Sequence, residues 1–298
     1  MSSPLKADNP LLDRGYLSAV LAENGLRLSR DRGQNFITDG GVLERILEEA
    51  GLADSETVLE IGPGLGTMTV EMRKICPVVA VECDRGIARL LGVFCPEGTG
   101  FTLIREDFLK VDPERILRAA GRRPLKVVSN LPYSLAGAAL FRLLRDFPSV
   151  RRTVCMVQEE AAARIVAPPG NKEYGLLSVM AGAFGGARRA FKVDRRSFFP
   201  VPRVDSAVVV LDAAPLPEAD GDLRVPLAAV ARTVFAQRRK MIKNTLERAS
   251  GLGYTAGQID RACREAVIDP AARPEQLSPR DYVRLVRALA SHGPESER

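Results

Sequence analysis

The sequence is short of the side chains on which most enzymes build acid–base and metal chemistry. It holds one histidine, His292, near the end of the chain. That excludes most Ser-His and Cys-His machinery and most imidazole-based zinc sites, so any reaction here runs without imidazole. Cysteine is scarce as well: Cys76, Cys83, Cys95, Cys155 and Cys263 are odd in number and widely spaced. No pair has the C-x-x-C spacing that brings two thiolates to one metal, so reduced, mostly buried thiols and no metal are expected. Long apolar runs are missing too. The longest, such as residues 207–211 (AVVVL), are of strand length, far below the roughly 18 to 20 residues of a membrane helix. The opening MSSPLKADNP lacks a basic segment followed by an apolar one, so no secretory signal is expected and the protein is read as soluble and cytoplasmic. Internal repeats and low-complexity tracts are also lacking.

What is present supports a folded, basic protein. Hydrophobic residues make up 46% of 298 positions, enough for a sizeable core. The net charge of +6 favours a polyanionic partner, because cations on phosphates release counterions. Basic residues gather at Arg122-Arg123, Arg151-Arg152, Arg188-Arg189, Arg195-Arg196, and in Gln237-Arg238-Arg239-Lys240-Met241-Ile242-Lys243. Each is equally consistent with a solvated face.

Residues 1–32 are polar apart from a short amphipathic piece, LSAVLAENGL, and are treated as an N-terminal extension. Apolar positions at helical spacing (Val42, Leu43, Ile46, Leu47) predict a helix over 40–50. Strand and helix patterns then alternate. TVLEIG, VVAVE, TLIRED, LKVVSN and RTVCMVQ read as strands. Helices are expected over 67–74, 87–91, PERILRAA, AGAALFRLLRDF and EEAAARIV. Such alternation implies βαβ units and a mostly parallel, Rossmann-like α/β sheet. ARRAFKVD and DSAVVVL follow with only a loop between them, which fits an antiparallel edge. The expected domain therefore covers 33–212. A Pro- and Asp-rich linker (213–225) and a small all-helical domain (226–298) complete the chain.

The most informative stretch is Val58-Leu59-Glu60-Ile61-Gly62-Pro63-Gly64-Leu65-Gly66-Thr67. A strand runs into a glycine-rich turn that opens a helix, and glycines let the backbone approach a ligand closely. The spacing is G-x-G-x-G, not the G-x-G-x-x-G of dinucleotide binders. Glu82 ends the next strand, roughly 20 residues on, where a carboxylate accepts from both hydroxyls of a ribose; Asp84 lies nearby. Asp107, after the third strand, is placed to accept from an adenine amine or to cap a helix. Phe108 is placed to stack on the ring.

Strand four ends in Asn130-Leu131-Pro132-Tyr133. The lone pair of an exocyclic adenine amine is delocalised into the ring and is a poor nucleophile. Two acceptors around it, the Asn130 side-chain oxygen and the Leu131 carbonyl, would take its hydrogens and pull it toward sp³ geometry. Pro132 would hold the turn rigid, and Tyr133 would stack on the extruded base. Catalysis is then positioning and electrostatics, with no general base required.

With these motifs in order, the chain resembles the ribosomal RNA adenine dimethyltransferase family from about Arg32 onward. The matching segments are Gly33-Gln34-Asn35-Phe36-Ile37-Thr38-Asp39, Glu60-Ile61-Gly62-Pro63-Gly64, Glu82, Asp107, and Asn130-Leu131-Pro132-Tyr133. Phe198-Phe199-Pro200-Val201-Pro202-Arg203-Val204-Asp205-Ser206 and Phe235-Ala236-Gln237-Arg238-Arg239-Lys240 complete them. The resemblance implies S-adenosylmethionine as cofactor, held by Asn35, Ile37, Gly62, Gly64, Glu82, Asp107, Phe108 and Asn130. It also implies a catalytic set of Asn130, Leu131, Pro132, Tyr133 and Phe198. From the residues alone, Phe198 is an ordinary packing residue; only the resemblance raises it to a clamp opposite Tyr133. Arg238, Arg239, Lys240 and Lys243, expected on a helix, would contact RNA.

The motif Glu173-Tyr174-Gly175-Leu176-Leu177-Ser178-Val179-Met180 and the basic segment resemble the branch acting on two adjacent adenosines in the 3′-terminal hairpin of small-subunit rRNA during ribosome assembly. The alternatives are the macrolide-resistance branch acting on large-subunit rRNA, a non-catalytic assembly factor on the same scaffold, and a methyltransferase for small molecules or protein glutamine. Two positions depart from the family: Ser134-Leu135-Ala136-Gly137 follows Tyr133 where Asn-Ile-Ser-Thr is common, and Ile37 replaces the usual Leu. No heptad seam is visible, so a monomer acting on rRNA within an assembling subunit is expected, without membrane or metal.

Overall fold

A computed structural model describes residues 9–26, 35–98, 100–121, 123–219 and 222–293. Gly33 and Gln34 of the N-terminal motif, and the Arg122 cluster position, lie outside the described residues. The chain separates into two compact units. The first comprises residues 1–142, 149–162 and 188–211; the second comprises 143–148, 163–187 and 212–298.

In the first unit, α1 (Arg14–Glu23) is followed by β1 (Phe36–Ile37), α2 (Gly40–Ala50), β2 (Thr57–Ile61), α3 (Thr67–Met72) and β3 (Val78–Val81). Then come α4 (Arg85–Phe94), β4 (Phe101–Ile104), α5 (Pro113–Ala120), β5 (Leu125–Asn130), α6 (Ala136–Asp146), β6 (Val150–Gln158) and α7 (Glu159–Ile165). A helix unforeseen in the sequence, α8 (Leu176–Phe184), belongs to the second unit and comes before β7 (Gly186–Val193), β8 (Phe198–Phe199) and β9 (Ser206–Asp212) in the chain. The main sheet has the order β4-β3-β2-β5-β6-β9-β7. The β4–β3, β3–β2, β2–β5 and β5–β6 pairs are parallel, and the β9–β7 end supplies the antiparallel edge. Val58, Val78, Leu103, Val128, Val154 and Val208 are all buried in one apolar core, as a sheet covered on both faces requires.

Strand order reverses between β2 and β5, and there the two strands part. Their ladder runs from Thr57 opposite Leu125 to Leu59 opposite Val127. Beyond it the Ile61 amide donates to the Ser129 hydroxyl at 2.8 Å instead of a strand carbonyl. The carboxyl ends of β2 and β5 therefore open a crevice, the place where open α/β sheets take ligands.

Residues 9–26 of the N-terminal extension pack into this unit. Asn9, fully buried, donates through its amide to the Thr67 carbonyl (2.9 Å) and to Glu71 Oε1 (3.0 Å). Leu11, Leu17 and Leu21 pack with Phe36, Leu65, Ile87 and Leu90, beneath the glycine turn. This packing, which the sequence did not reveal, backs the crevice wall beside the glycine turn.

The second unit is helical. To α8 it adds α9 (Arg224–Phe235), α10 (Ile242–Glu247), α11 (Ala256–Glu265) and α12 (Pro279–His292). Tyr174 donates to the Leu277 carbonyl (2.9 Å) and Tyr282 to the Pro274 carbonyl (2.8 Å); the Phe235 ring meets Tyr174 edge-on and Tyr282 at a tilt of 31°. The basic segment is helical only from Ile242 on, so Arg238, Arg239 and Lys240 stand on a turn rather than a helix, contrary to expectation. α9 ends at Phe235, residues 236–240 form a turn, and α10 starts at Ile242. The helix breaks because the Ile242 amide donates to the Ala272 carbonyl (2.9 Å) and Met241 is extended.

Candidate functional site

The turn after β2 forms the floor of the crevice. Gly62 and Gly64 sit at φ of +65° and +60°, a left-handed conformation that side chains resist. A Cβ on Gly64 would stand 2.7 Å from the Phe36 ring, and one on Gly62 would stand 3.2 Å from Pro132. The backbone is thus held against β1 on one side and the Asn130–Tyr133 turn on the other. Between them lies a cavity of about 310 Å³.

All eight expected cofactor residues line this cavity: Asn35, Ile37, Gly62, Gly64, Glu82, Asp107, Phe108 and Asn130. β3 delivers Glu82, whose carboxylate accepts from the Asp84 amide at 2.8 Å. Burial pushes its pKa up, while backbone amides of Asp84, Gly64 and Cys83 draw it down. Asp84 instead caps α4, accepting from the Gly86 (2.9 Å) and Ile87 (3.1 Å) amides, which accounts for its carboxylate. β4 ends at Ile104, sooner than expected, so Asp107 stands in a loop. Its Oδ1 accepts from the Leu109 amide at 2.9 Å, and no helix starts there. Phe108 is almost fully buried at the cavity wall.

Asn130 ends β5. Its side-chain amide nitrogen donates to the Asn35 carbonyl at 2.8 Å. That bond fixes which end of the amide is which, leaving Oδ1 as the acceptor end. Pro132 lines the cavity. Leu131 is buried and its amide donates to the Met156 carbonyl at 3.1 Å, so the turn is tied back into the sheet. The Tyr133 hydroxyl pairs with the Ser206 hydroxyl at 2.9 Å. Tyr133, Leu131 and Phe198 are not on the cavity wall. Phe198 is fully buried, opposite Ile37 in the short antiparallel β1–β8 pair. It belongs to the core here, the reading its residue type alone suggested.

Sequence reasoning left out Glu60. It lines the cavity, is fully buried, and accepts from the Thr69 hydroxyl at 2.5 Å. Burial raises its pKa to about 8, against the lowering effect of Thr69; the neighbouring Glu82 adds to the rise. The available signal was a carboxylate flanked by Leu59 and Ile61 within a buried strand.

In the second unit, Arg238 donates to the Lys172 carbonyl (2.8 Å) and covers the Phe235 ring. Arg239 and Lys240 are exposed. Lys243 meets Asp260 at 2.6 Å and Glu247 at 3.6 Å, so its charge is already engaged. Four of the five thiols are buried and Cys83 is exposed. Among the described residues, no cluster of His, Cys, Asp and Glu is arranged to hold a metal, and no helix is long and apolar enough to cross a membrane.

The cavity fits a nucleoside carrying a cationic tail. It combines a backbone cradle, carboxylates at successive strand ends and an aromatic wall. The family model "Ribosomal RNA adenine dimethylase" matches residues 25–291. The chain belongs to the ribosomal RNA adenine dimethylase family. Relatives in that family include the ribosomal RNA small subunit methyltransferase A of Rhodococcus opacus, 37% identical over 283 residues, covering 92% of this chain and 93% of the relative. The protein of the same name from Streptomyces griseus is 37% identical over 291 residues, covering 96% of each. Among solved structures, a Plasmodium falciparum dimethyladenosine transferase superposes with a TM-score of 0.65 at 23% identity, over 84% of this chain and 95% of that one. The 23S rRNA methyltransferase ErmE gives 0.60 at 26% identity, over 86% and 99%. The first of these likenesses establishes the fold alone, a class I methyltransferase sheet.

Proposed function

We propose that this member of the ribosomal RNA adenine dimethylase family transfers methyl groups from S-adenosylmethionine to the exocyclic amines of two adjacent adenosines in the 3′-terminal hairpin of small-subunit rRNA, during subunit assembly in the cytoplasm. The observation that carries the reading is the Asn130 amide, its nitrogen committed to the Asn35 carbonyl and its oxygen left as acceptor beside the cofactor cavity. The small-subunit branch is favoured over the large-subunit one by relatives of about 37% identity over nearly the whole chain.

In this reading, Glu82 accepts from ribose hydroxyls, Asp107 from the adenine amine, and Phe108 packs against the ring. Glu60, protonated by its burial, hydrogen-bonds Thr69 and lines the wall beside Glu82. The cofactor, when bound, supplies an electrophilic methyl group on a sulfonium. Asn130 Oδ1 and the Leu131 carbonyl would accept hydrogen bonds from the target amine and hold its lone pair in line, so that the N–CH3 bond forms as the S–CH3 bond breaks and the alkylated nitrogen then releases one proton to solvent. Pro132, wedged against Gly62, keeps that turn from shifting. Tyr133 stacks on the flipped base; Phe198 would join it only by turning out of the core. Arg238, Arg239 and Lys240 contact rRNA phosphates, and the protein acts as a monomer. In this reading residues 33–212 carry the cofactor and residues 226–298 the rRNA contacts.

The test is methyl transfer from labelled cofactor to under-methylated small subunits, with large subunits and naked rRNA in parallel, followed by nucleoside analysis. Dimethyladenosine on small subunits supports the reading. Transfer to large subunits alone would move the protein to the other branch. Cofactor binding with no transfer to any substrate would make it an assembly factor.

A further inference from the structure

We propose that Arg142 is a positioning residue for recognition of the cofactor's adenine, an inference that rests on the reading of Asp107 and Phe108 above. Arg142 stands on α6, the helix that follows the Asn130–Tyr133 turn and starts with the Leu135 and Ala136 amides donating to the Pro132 carbonyl (2.8 and 3.0 Å). It is almost fully buried, an unusual place for a guanidinium. One of its terminal nitrogens donates to the Phe108 carbonyl and the other to the Val111 carbonyl. Its guanidinium carbon also lies 5.5 Å from the centre of the Phe108 ring.

These contacts fall on the loop that reads the adenine. Residues 105–112 belong to no helix or strand, so their carbonyls have no ladder to join. Within the loop, the Asp107 carbonyl accepts from the Lys110 and Val111 amides (2.8 and 2.9 Å), and Asp107 Oδ1 accepts from Leu109 (2.9 Å). The loop thus satisfies Asp107 by itself, whereas Phe108 and Val111 are closed from outside by one planar fork. A fork with two fixed donors sets the separation and direction of two carbonyls at once, which a lysine cannot do. The Phe108 carbonyl shares one planar peptide unit with the Leu109 amide that donates to Asp107 Oδ1 (2.9 Å), so the guanidinium that holds the carbonyl also orients the amide that aims the carboxylate, and the ring beside it. Because α6 begins at the target-base turn, one helix ties both halves of the active site together.

The experiment compares binding of S-adenosylmethionine with binding of its analogue carrying hypoxanthine in place of adenine, which lacks the amine that Asp107 accepts from. Wild type should favour the adenine form. Asp107→Ala should lose that preference. Arg142→Met, close in volume but without donors, should bind the adenine form about tenfold more weakly and the hypoxanthine form with little change. Arg142→Lys should recover part of the preference, and Arg142→Met with Asp107→Ala should discriminate no worse than Asp107→Ala alone. The ratio of two affinities in one preparation does not depend on the fraction folded, so loss of stability cannot imitate the result. A wild-type ratio in Arg142→Met overturns the proposal. A wild-type ratio in Asp107→Ala removes the reading of Asp107 itself, and the positioning role with it.

Discussion

Asn130 is the residue on which the proposed chemistry turns. A side-chain amide offers a donor and an acceptor of nearly equal shape, and only its surroundings decide which faces where. Here the Asn35 carbonyl takes the donor at 2.8 Å. Asn130→Ala therefore removes one amine acceptor and frees the N-terminal loop. Methyl transfer should fall by about 10² to 10³-fold, as for loss of a preorganised electrostatic contact, while rRNA binding persists; single-turnover transfer and filter binding measure the two, and near-normal transfer would end the mechanism. Glu60 makes a prediction of a different kind. Its pKa is raised by burial to about 8 from an ordinary 4.5, so between those values the folded protein holds a proton that the unfolded chain releases. Stability then falls as pH rises through that window, by about 1.4 kcal/mol per pH unit from this group, and is flat below it. Glu82, shifted in the same direction, adds to the trend. Denaturation midpoints from pH 5 to 8 should decline in wild type and flatten in Glu60→Gln, which keeps an acceptor for Thr69. An equal decline in both proteins would place the titration elsewhere.

At the scale of elements, the N-terminal helix enlarges the proposed cofactor site. Leu17 is fully buried against a cluster that includes Phe36, and the Phe36 ring lies where a Cβ of Gly64 would be. Arg14 adds polar ties to Thr38 Oγ1 (3.2 Å) and to the Arg196 carbonyl, joining α1 to both strands of the β1–β8 pair's surroundings. Leu17→Ala should cost about 2 to 5 kcal/mol of stability and also weaken cofactor binding, because Phe36 loses its backing. Thermal melts with and without cofactor separate the effects; unchanged affinity would reduce α1 to a brace. The strands and glycine turn were legible in the sequence because a parallel sheet covered on both faces needs short apolar runs ending in polar groups, and VVAVE and LKVVSN have that form. The β1–β8 pair was not, since two-residue strands carry no period. Nor was α8: LLSVMAGAF is apolar on every side and lacks a helical stripe. The turn at 236–241 escaped because helical spacing persists across it, and its break comes from a bond to Ala272, distant in sequence.

Over the whole molecule, a charge of +6 says only that a polyanion is welcome; the structure sorts which cations are available to one. Arg188 is held by Glu49, Arg189 by Glu159, Arg196 by Asp194 and Lys192 by Asp205. These clusters, suggestive in sequence, are largely surface ion pairs, whose separate contributions to stability are small. In the basic turn, Arg239 and Lys240 are exposed, while Lys243 lies between Asp260 and Glu247. A phosphate contact from Lys243 would have to displace two carboxylates, and the released cost would offset much of the gain. The salt dependence of rRNA binding distinguishes the two groups, since each phosphate contact contributes about 0.7 to 0.9 to the slope of log K against log salt. Replacing Arg239 and Lys240 together with alanine should therefore flatten that slope by roughly 1.5, whereas Lys243→Ala should leave it close to wild type. If Lys243→Ala flattens the slope as much as either exposed residue, its ion pairs open on binding and the turn and α10 act as one phosphate-binding surface. If the double replacement leaves the slope intact, the basic turn is solvated surface, and the rRNA contacts must be sought on other parts of the protein.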